Sequence, residues 1–485
     1  MNFSPLKIIE NHLYLLQLEN YDLKRFGRVF WQLGFKVLPM RQSLAWTEKL
    51  KAILIVALLI QFVFSALIFV LAQTITFSIS ISIVIFLIIL LLSSWLFGIW
   101  AAAATAILLP LDLFLKKRVI KQAKDKLNKH KNLKIIGVTG SYGKTTMKEV
   151  VAAVLSQKYN VLKTKENKNT PLGIAHLILA ELTDDIEMLV VEMGAYQKGD
   201  IKNLCALTPP DVSILTGINE SHLERFGSME NTIAAKFEIV KYASDKAKII
   251  LNADNDLVMK YYQDYVGDKK TVFYSAYNHK FCDYRVIDRQ FLVDLLCQRA
   301  DIMHKNDSVG SIKISFLGEY IFGDVIAAIM VAREFHISTE MIRHALMELK
   351  PIDHRLKPIK GENNILVIDD SYNGSIDGVE EAIRVLAHFK NRRKIYITPG
   401  LVETGDESHG IHYRIGKRLS KACDLVVLIK NSVTSYIEKG LLDSGFAKEN
   451  ILFFENANEA HQKIQELTKS GDVVLFQNDW PDNYV

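Results

Sequence analysis

The feature that most restricts how this chain can fold is a long tract without charged residues. Residues 52–111 of the 485-residue chain include no Asp, Glu, Lys or Arg. A transmembrane helix needs about 20 apolar residues, so the tract holds two such helices comfortably and three only if each is short. The polar run 73–78 predicts a turn between spans near 52–72 and 79–100, with residues 101–115 extending the second helix. A core hairpin of a soluble domain is the weaker alternative, because core helices are seldom uncharged over such a length.

Basic residues flank the uncharged tract on both sides. They are Lys24, Arg25, Arg28, Lys36, Arg41, Lys49 and Lys51 before it, and Lys116, Lys117, Arg118, Lys121, Lys124, Lys126, Lys129, Lys131 and Lys134 after it. Positive residues favour the cytoplasmic side of a membrane, so we predict two spans of the inner membrane with both termini and the later domains in the cytoplasm. Membrane lipid is an expected partner. Because topology explains these clusters, nucleic-acid binding is not expected.

The segment before the spans mixes apolar and aromatic side chains with basic ones. Two alternatives are open for residues 1–50: an amphipathic helix lying on the inner leaflet, or a small helical subdomain. About fifty residues precede the first span, so a cleaved signal peptide is not expected.

A glycine-rich run follows the mostly apolar stretch 133–138. It consists of Thr139, Gly140, Ser141, Tyr142, Gly143, Lys144, Thr145 and Thr146. A strand that ends in glycines and passes into a helix presents free N–H groups and the positive end of a helix dipole to an anion. Lys144 adds a mobile cation, and Thr145 adds a hydroxyl suited to Mg²⁺. The usual spacing has a glycine where this chain has Val138, so the run predicts a variant phosphate-binding loop. An ordinary turn with a capping serine is the weaker alternative.

Strand-like apolar runs alternate with helical patterns in two successive series. The predicted strands are 133–138, 160–163, 188–192 and 212–216 in the first series, and 365–369, 394–398, 425–429, 451–454 and 473–476 in the second. This alternation indicates parallel sheets covered by helices. The predicted fold class is α/β, with a P-loop-type parallel-sheet central domain and a Rossmann-like C-terminal domain after a two-helix transmembrane hairpin. The predicted domains are 1–50, 51–131, 132–350 and 351–485.

Three polar residues lie where site residues are expected in an open parallel sheet. Glu192 directly follows a buried strand and is expected beside the phosphate loop if the strand order is conventional. His222 follows the next strand, and Lys236 lies on a helix that begins near Met229. Carboxylates together with phosphates are how proteins hold Mg²⁺. Each of these residues taken alone is as well explained by a structural or solvated role.

Six short motifs occur in order along the chain. They are Thr-Gly-Ser-x-Gly-Lys-Thr-Thr (139–146), Glu-Met-Gly-Ala (192–195), Asn-x-x-His-Leu-Glu-x-Phe-Gly-Ser (219–228), Ala-Lys-x-Glu-Ile (235–239), Leu-Asn-Ala-Asp-Asn-Asp (251–256) and Ile-Asp-Asp-Ser-Tyr-Asn (368–373). Their joint pattern, from about Lys134 to the C-terminus, resembles the Mur ligase family. No single motif is specific enough alone.

The resemblance implies an ATP-dependent, ADP-forming amide ligase of peptidoglycan precursor synthesis. Such an enzyme phosphorylates a carboxylate, and an amine then attacks the acyl phosphate. The implied substrates are a muramoyl-peptide-like carboxylate and an amino acid or D-alanyl-D-alanine. The implied cofactors are ATP and Mg²⁺.

The resemblance also implies roles for individual residues. The catalytic residues would be Lys144, Lys236, His222 and Glu192; ATP would be bound by Thr139, Gly140, Ser141, Gly143, Lys144, Thr145, Thr146, Arg355 and Asp370; and substrate would be bound by Tyr372, Asn373, Glu403 and His412. The metal ligands would be Thr145, Glu192, His222 and Lys236. Lys236 resembles the lysine that the family commonly carbamylates, which would turn a cation into a carboxylate-like ligand.

Two departures from the family pattern keep alternatives open. The spans occupy the place of the family's UDP-sugar domain, and Tyr320, Ile321 and Asp324 stand where the family contacts adenine with His-Asn and a later Asn. One alternative is a ligase acting on a lipid-linked or other carboxylate at the membrane surface. Another is a non-catalytic, nucleotide-binding scaffold for cell-wall enzyme partners. Retention of Lys144 and Glu192 argues against the scaffold.

Overall fold

The computed structural model describes residues 5–33, 43–76, 78–165, 168–220, 223–277, 282–372, 374–401, 404 and 407–478. The chain divides into two compact units, with the boundary after Arg118. The first unit is helical, and the second contains two β-sheets. The domain boundaries expected at residues 131 and 350 stay predictions.

The first unit is built from helices around one apolar core. They are α1 (Pro5–Leu18), α2 (Leu23–Leu33), α3 (Glu48–Thr76), α4 (Ile79–Ser94) and α5 (Phe97–Leu127), the last of which continues into the second unit. Leu13 and Leu16 of α1 and Phe26 and Phe30 of α2 are buried together with the N-terminal parts of α3 and α5. Because the apolar face of α2 is used inside the protein, the structure favours the helical subdomain over a helix lying on lipid.

Helices α3 and α4 pack as an antiparallel hairpin. Phe62 and Phe69 of α3 both contact Phe86 of α4 edge to face. Gln61 is buried and donates a hydrogen bond of 2.8 Å to the Ser93 hydroxyl. Helix α3 ends at Thr76 and α4 begins at Ile79, so the break between them lies at the end of the polar run 73–78.

The second half of the hairpin is interrupted. Helix α4 ends at Ser94 and α5 begins at Phe97, so the prediction of one continuous helix over 79–100 is wrong. The amides of Trp95 and Leu96 donate to carbonyls three residues back, at 3.1 Å each. This tighter pattern replaces the α-helical one and ends the helix.

Two helices in the described part of the chain, Glu48–Ile75 and Phe97–Leu127, are long and apolar enough to cross a membrane. Many large apolar side chains on them are exposed, among them Ile55, Leu111 and Phe114. Helix α4 has 16 residues and spans about 24 Å, which is short for a separate crossing.

Nine strands form the first sheet of the second unit, in the order β2-β3-β1-β4-β5-β6-β7-β8-β9. They are β1 (Lys134–Thr139), β2 (Val161–Lys163), β3 (Met188–Glu192), β4 (Val212–Leu215), β5 (Lys248–Asn252), β6 (Thr271–Ser275), β7 (Tyr284–Leu292), β8 (Cys297–His304) and β9 (Asp307–Ile314). Pairing is parallel from β2 to β7 and antiparallel from β7 to β9. The accompanying helices are α6 (Lys144–Leu155), α7 (Pro171–Glu181), α8 (Asp200–Leu207), α9 (Leu223–Phe226), α10 (Met229–Lys241), α11 (Asp256–Tyr261), α12 (Gln263–Val266), α13 (Ile321–Glu334) and α14 (Thr339–Glu348).

Six strands form the second sheet, in the order β10-β11-β15-β12-β13-β14. They are β10 (Lys357–Lys360), β11 (Leu366–Asp370), β12 (Lys394–Thr398), β13 (Leu425–Ile429), β14 (Ile451–Phe454) and β15 (Val473–Gln477). Only β10 is antiparallel to its neighbour among these strands. The accompanying helices are α15 (Ile376–Ala387), α16 (Ser408–Ala422), α17 (Thr434–Leu442) and α18 (Ala457–Leu467).

The two sheets confirm the predicted α/β class. In the first sheet β1 lies between β3 and β4, so the carboxyl ends of all three strands meet at one edge. This is the conventional order that the sequence argument for Glu192 required, and ligands bind at this edge in open parallel sheets.

Candidate active site

The turn between β1 and α6 is shaped by two glycines. Gly140 has a φ of 156°, and a Cβ added there would lie 2.0 Å from the Thr216 Oγ1. Gly143 has a φ of 71°, in the left-handed region that favours glycine. The Ser141 amide donates to the Gly217 carbonyl at 2.8 Å and so fixes the loop against the end of β4. The loop is therefore a preformed anion cradle at the N-terminus of α6.

Lys144 begins α6, and its side chain curls back over the loop. The Nζ donates to the Gly140 carbonyl at 2.9 Å and to the Ser141 carbonyl at 3.4 Å. Desolvation lowers the pKa of Lys144; the charge of Glu192 opposes this effect and that of Arg355 adds to it. The ammonium is held by carbonyls alone in these contacts, so a phosphate would gain a direct charge partner.

Two of the residues expected to bind ATP turn their side chains into the protein. The Thr139 Oγ1 donates to the Met193 carbonyl at 2.7 Å and is fully buried. Thr146 is 3% exposed. The Thr139 bond holds the end of β1 against the end of β3, and contact of Thr139 and Thr146 with nucleotide stays a prediction.

Glu192 ends β3 directly beside the phosphate loop, as predicted. Its carboxylate is 2% exposed. The Oε2 accepts from the Thr145 hydroxyl at 3.0 Å, and the Oε1 accepts from the Asn169 amide at 3.1 Å. A hydroxyl and a carboxylate at this spacing are hard oxygen donors of the kind that Mg²⁺ prefers.

Lys236 lies on α10 and is 1% exposed. Its Nζ donates to the Ala195 carbonyl at 3.5 Å and lies 5.3 Å from the centroid of the Phe226 ring. Burial and then the charge of Lys144 lower the pKa of Lys236 well below its usual range. His222, the other predicted member of this set, lies outside the described residues.

Asn219 connects the phosphate loop to the second sheet. Its amide N–H donates to the Ser141 hydroxyl at 3.2 Å, and its side-chain Nδ2 donates to the Asp377 Oδ2 at 2.6 Å. Asp377 lies in the first turn of α15, and burial raises its pKa. The motif that contains Asn219 does not indicate this role, and no sequence pattern predicted Asp377.

Comparison with known proteins assigns the family. A model described as the Mur ligase middle domain matches residues 138–332, and a model described as the Mur ligase, glutamate ligase domain matches residues 354–477. Together they match well over half of the chain. The chain belongs to the Mur ligase family.

Individual relatives support the assignment of this Mur ligase. The UDP-N-acetylmuramoyl-tripeptide--D-alanyl-D-alanine ligase of Bacillus subtilis is 29% identical over 349 residues, which cover 71% of this chain and 72% of that protein. The Escherichia coli protein of the same name is 28% identical over 332 residues, with coverage of 66% and 71%. The crystal structure of MurF ligase from Thermotoga maritima in complex with ADP has a TM-score of 0.66 and 27% identity, covering 75% of this chain and 80% of that chain. The family inferred from the motifs is thereby confirmed.

Arg355 faces the site of this Mur ligase from a strained loop before β10. Its guanidinium carbon lies 4.5 Å from the centroid of the Tyr372 ring. His354 and Leu356 have φ values of 60° and 46°, which non-glycine residues adopt only when their surroundings impose it. The Asp370 Oδ1 accepts from the Leu356 amide at 3.2 Å. Burial raises the pKa of Asp370 to about 7, against the opposing charge of Arg355.

His412 holds a loop through both ring nitrogens, and its contact with substrate stays a prediction. The ring is fully buried in α16. The Nε2 accepts from the Leu401 amide at 2.9 Å, and the Nδ1 donates to the Ser408 carbonyl at 2.6 Å. Burial lowers the pKa of His412, which favours this neutral ring. Asn373 and Glu403, also predicted to bind substrate, lie outside the described residues.

The residues at the family's adenine-contact positions are mostly buried. Ile321 is fully buried, and Asp324 is 5% exposed. The Asp324 Oδ2 has no hydrogen-bond partner in the described part of the chain, and burial raises the pKa of Asp324 well above its usual range. Burial also raises the pKa of Tyr320. How this Mur ligase contacts the base at these positions stays a prediction.

Two neighbours of Glu192 were missed by the sequence analysis. Lys148 lies 3.5 Å from the Glu192 Oε2 and is fully buried, and Asn169 bonds the other oxygen. Lys148 follows Lys144 by one helical turn, so the spacing on α6 could have placed it on the site's side of the helix. Nothing local marks Asn169.

Proposed function

We propose that this Mur ligase is an ATP-dependent, ADP-forming peptide ligase that joins D-alanyl-D-alanine to the carboxylate of a muramoyl tripeptide. The observation that carries the proposal is the pair formed by Thr145 and Glu192, 3.0 Å apart at the mouth of the phosphate loop and beside Lys144. The names of the relatives in Bacillus subtilis and Escherichia coli support the substrates. The ADP complex of the Thermotoga maritima MurF ligase supports the nucleotide.

The loop and Lys144 would hold the γ-phosphate of ATP and stabilise its charge during transfer to the substrate carboxylate. The bond from the γ-phosphorus to the bridging oxygen breaks as a carboxylate oxygen attacks, which releases ADP and leaves an acyl phosphate. The amine then attacks the acyl carbon, loses a proton and expels phosphate. The result is one amide bond for each ATP consumed.

The residues present fit a Mg²⁺ ion that arrives with the nucleotide. Thr145 and Glu192 offer two hard oxygens, and the described residues include no group of three or more His, Cys, Asp or Glu side chains that could hold a metal alone. Phosphate oxygens would therefore complete the ligand set. Bound there, Mg²⁺ would neutralise phosphate charge. His222 and Lys236 stay proposed further ligands.

The surroundings of Lys236 support its carbamylation. Its lowered pKa favours the neutral amine, which is the form that attacks CO₂ to give a carbamate and a proton. Within the described ranges, the Nζ would give up one hydrogen bond of 3.5 Å to a carbonyl and its position 5.3 Å from the Phe226 ring centroid. A carbamate would supply the negative oxygens that a second metal ion requires.

Contacts between the two sheet-bearing parts support closure over the reaction. Asn219 bonds Asp377, and the charge of Arg355 acts on the pKa of Lys144. Closure would exclude water, which matters because an acyl phosphate hydrolyses readily. Arg355 and Tyr372 are proposed to line the closed cleft.

We place the enzyme at the cytoplasmic face of the inner membrane, with two spans and both termini inside. Helix α3 has the length and composition for the first span. Helix α4 and the start of α5 run back along α3, where Lys49 pairs with Asp112 at 2.9 Å, and together form the second span. The exposed apolar side chains of the hairpin support lipid as their environment. The basic residues on both flanks support the orientation. An anchored enzyme could also take a lipid-linked muramoyl peptide, which is the second candidate for the acceptor.

The decisive experiment measures ADP release by the full-length protein in lipid nanodiscs. UDP-linked muramoyl tripeptide and D-alanyl-D-alanine should together stimulate release, and mass spectrometry should find the pentapeptide product. Lys144→Ala should lower the rate at least about 100-fold, because a positioned charge on the phosphate is worth several kcal/mol. Lys246→Ala, a change of an exposed lysine, is the control.

The two acceptors are compared in the same nanodiscs. Faster ligation of a lipid-linked acceptor than of the UDP-linked one would select the second candidate. Absence of substrate-dependent ADP release with either acceptor would refute ligase activity and favour the scaffold.

A further inference from the structure

Glu192 is held by more partners than a free metal ligand would have. Its Oε1 accepts from Asn169, and its Oε2 accepts from Thr145 at 3.0 Å and faces the Lys148 Nζ at 3.5 Å. A carboxylate with both oxygens engaged has one orientation available. The side chain is therefore set before any ligand arrives.

Lys148 is the unusual member of this arrangement. Its side chain is fully buried, and its Nζ makes no hydrogen bond within the described ranges. A buried ammonium is costly unless opposite charges surround it. The two carboxylates near it are Glu192 at 3.5 Å and Glu149 at 3.4 Å. Glu149 is shared with Lys163, which makes a short ion pair with it.

The charges form an alternating row from the surface to the site: Lys163, Glu149, Lys148 and Glu192. Because Glu149 already forms an ion pair with Lys163, Glu192 is the main negative charge that compensates Lys148. The Lys144 ammonium adds a second positive charge on the site side of Glu192. Among the described residues, the groups next to Glu192 thus carry more positive than negative charge before nucleotide binds.

This balance disfavours a lone divalent cation and favours a polyphosphate. A cation at Glu192 would be repelled by Lys148 and Lys144, whereas ATP would bring enough negative charge to reverse the balance. We propose that Lys148 is a positioning residue that fixes Glu192 and makes divalent-cation binding depend on bound nucleotide. The proposal rests on the proposed function in one respect, namely that Glu192 is a metal ligand.

The test measures Mn²⁺ binding to the full-length protein by electron paramagnetic resonance, with and without ATP. Wild type should bind Mn²⁺ weakly without nucleotide and at least 100-fold more tightly with it. Lys148→Met should tighten binding without nucleotide about tenfold or more and shrink the effect of ATP by a similar factor. Lys158→Met is the matched control, because it removes an exposed lysine that lies outside this row, and it should behave as wild type.

Unchanged Mn²⁺ binding in Lys148→Met, with and without ATP, would overturn the proposal. Glu192→Gln separates this failure from that of the proposed function. If Glu192→Gln abolishes Mn²⁺ binding with ATP while Lys148→Met changes nothing, Glu192 is a ligand and Lys148 has no such role. If Glu192→Gln binds Mn²⁺ with ATP as wild type does, the metal site of the proposed function is refuted.

Thermal melting keeps the proposal testable should Lys148→Met fold poorly. Removing one partner of a buried ion pair leaves an uncompensated charge, whereas removing both does not. The double variant Lys148→Met with Glu192→Gln should therefore melt at a higher temperature than Glu192→Gln alone. A double variant that melts no higher would show that the two charges are not paired, which contradicts the proposal.

Discussion

Loss of the hydrogen bond between Asn219 and Asp377 should slow ligation while the fold is kept. The Asn219 Nδ2 donates to the Asp377 Oδ2 at 2.6 Å and joins the phosphate-loop side of the site to α15. A hydrogen bond to a charged group contributes about 1.5–3 kcal/mol, and each 1.4 kcal/mol corresponds to about tenfold in a rate or binding constant. Asn219→Ala and Asp377→Ala should therefore each lower kcat/KM for ATP by about 10- to 100-fold.

The assay is a double-mutant cycle on substrate-dependent ADP release. If the two residues act through their mutual contact, the double variant should lose little more than either single variant, so the coupling energy should be about as large as one single effect. Asp443→Ala is the control, because this exposed carboxylate accepts a hydrogen bond of 3.1 Å from the Tyr413 hydroxyl on α16. Losses that multiply in the double variant would refute the argument, since they would show that each residue acts independently.

Three further predictions concern the loop, a buried acid and the modified lysine. Gly140→Ala should weaken ATP binding at least about 100-fold in calorimetry, because its Cβ would lie 2.0 Å from the Thr216 Oγ1. Gly199→Ala is the control. Gly199 has a φ of 97° but open space around it, so this variant should bind ATP normally. The pKa of Asp370 is raised from 3.8 to about 7, so the folded state holds a proton more tightly than the unfolded state and stability should fall as pH rises through this window. Asp370→Asn should make the melting temperature fall less steeply between about pH 4 and about pH 7, where each limit is good to about one pH unit. An equally steep fall in the variant would refute the raised pKa of Asp370. Protein equilibrated with ¹³C-bicarbonate should give a carbamate signal in nuclear magnetic resonance that is absent from Lys236→Ala, and its absence from wild type would contradict carbamylation.

The strands that sequence reasoning placed best are those covered on both faces. Strands β3 and β13 coincide with the predicted runs, and every residue of both is buried. A strand buried on both faces is a continuous apolar run, which is visible without any structure. Strands β7 and β9 were not predicted because only part of each is buried and their residues mix polar and apolar types. They extend the first sheet by antiparallel pairing that local pattern does not show.

The apolar hairpin that begins with α3 shows a different limit. Composition located the uncharged tract and its turn, since both depend only on which residues are present. The interruption at Trp95 and Leu96 depends on main-chain hydrogen bonds, which the composition of the tract does not predict. The hydrogen bond between Gln61 and Ser93 across the hairpin could not be predicted either, because the role of a polar residue in an apolar helix depends on its partner.

The residues of the site likewise divide into those that the sequence could place and those that it could not. Glu192 could be placed beside Thr145 because the ends of neighbouring parallel strands must meet, which makes the contact a consequence of topology. The bond between Asn219 and Asp377 joins residues 158 positions apart and follows from no pattern in either segment. Lys148 could be predicted only in part, because its helical spacing from Lys144 is visible in the sequence but its burial is not. A lysine one turn after the loop lysine would ordinarily be assigned to solvent, and only the carboxylates around it show that its charge belongs to the site. Sequence can thus indicate the groups that are expected to touch phosphate, whereas the balance of charge behind them has to be taken from the packed structure.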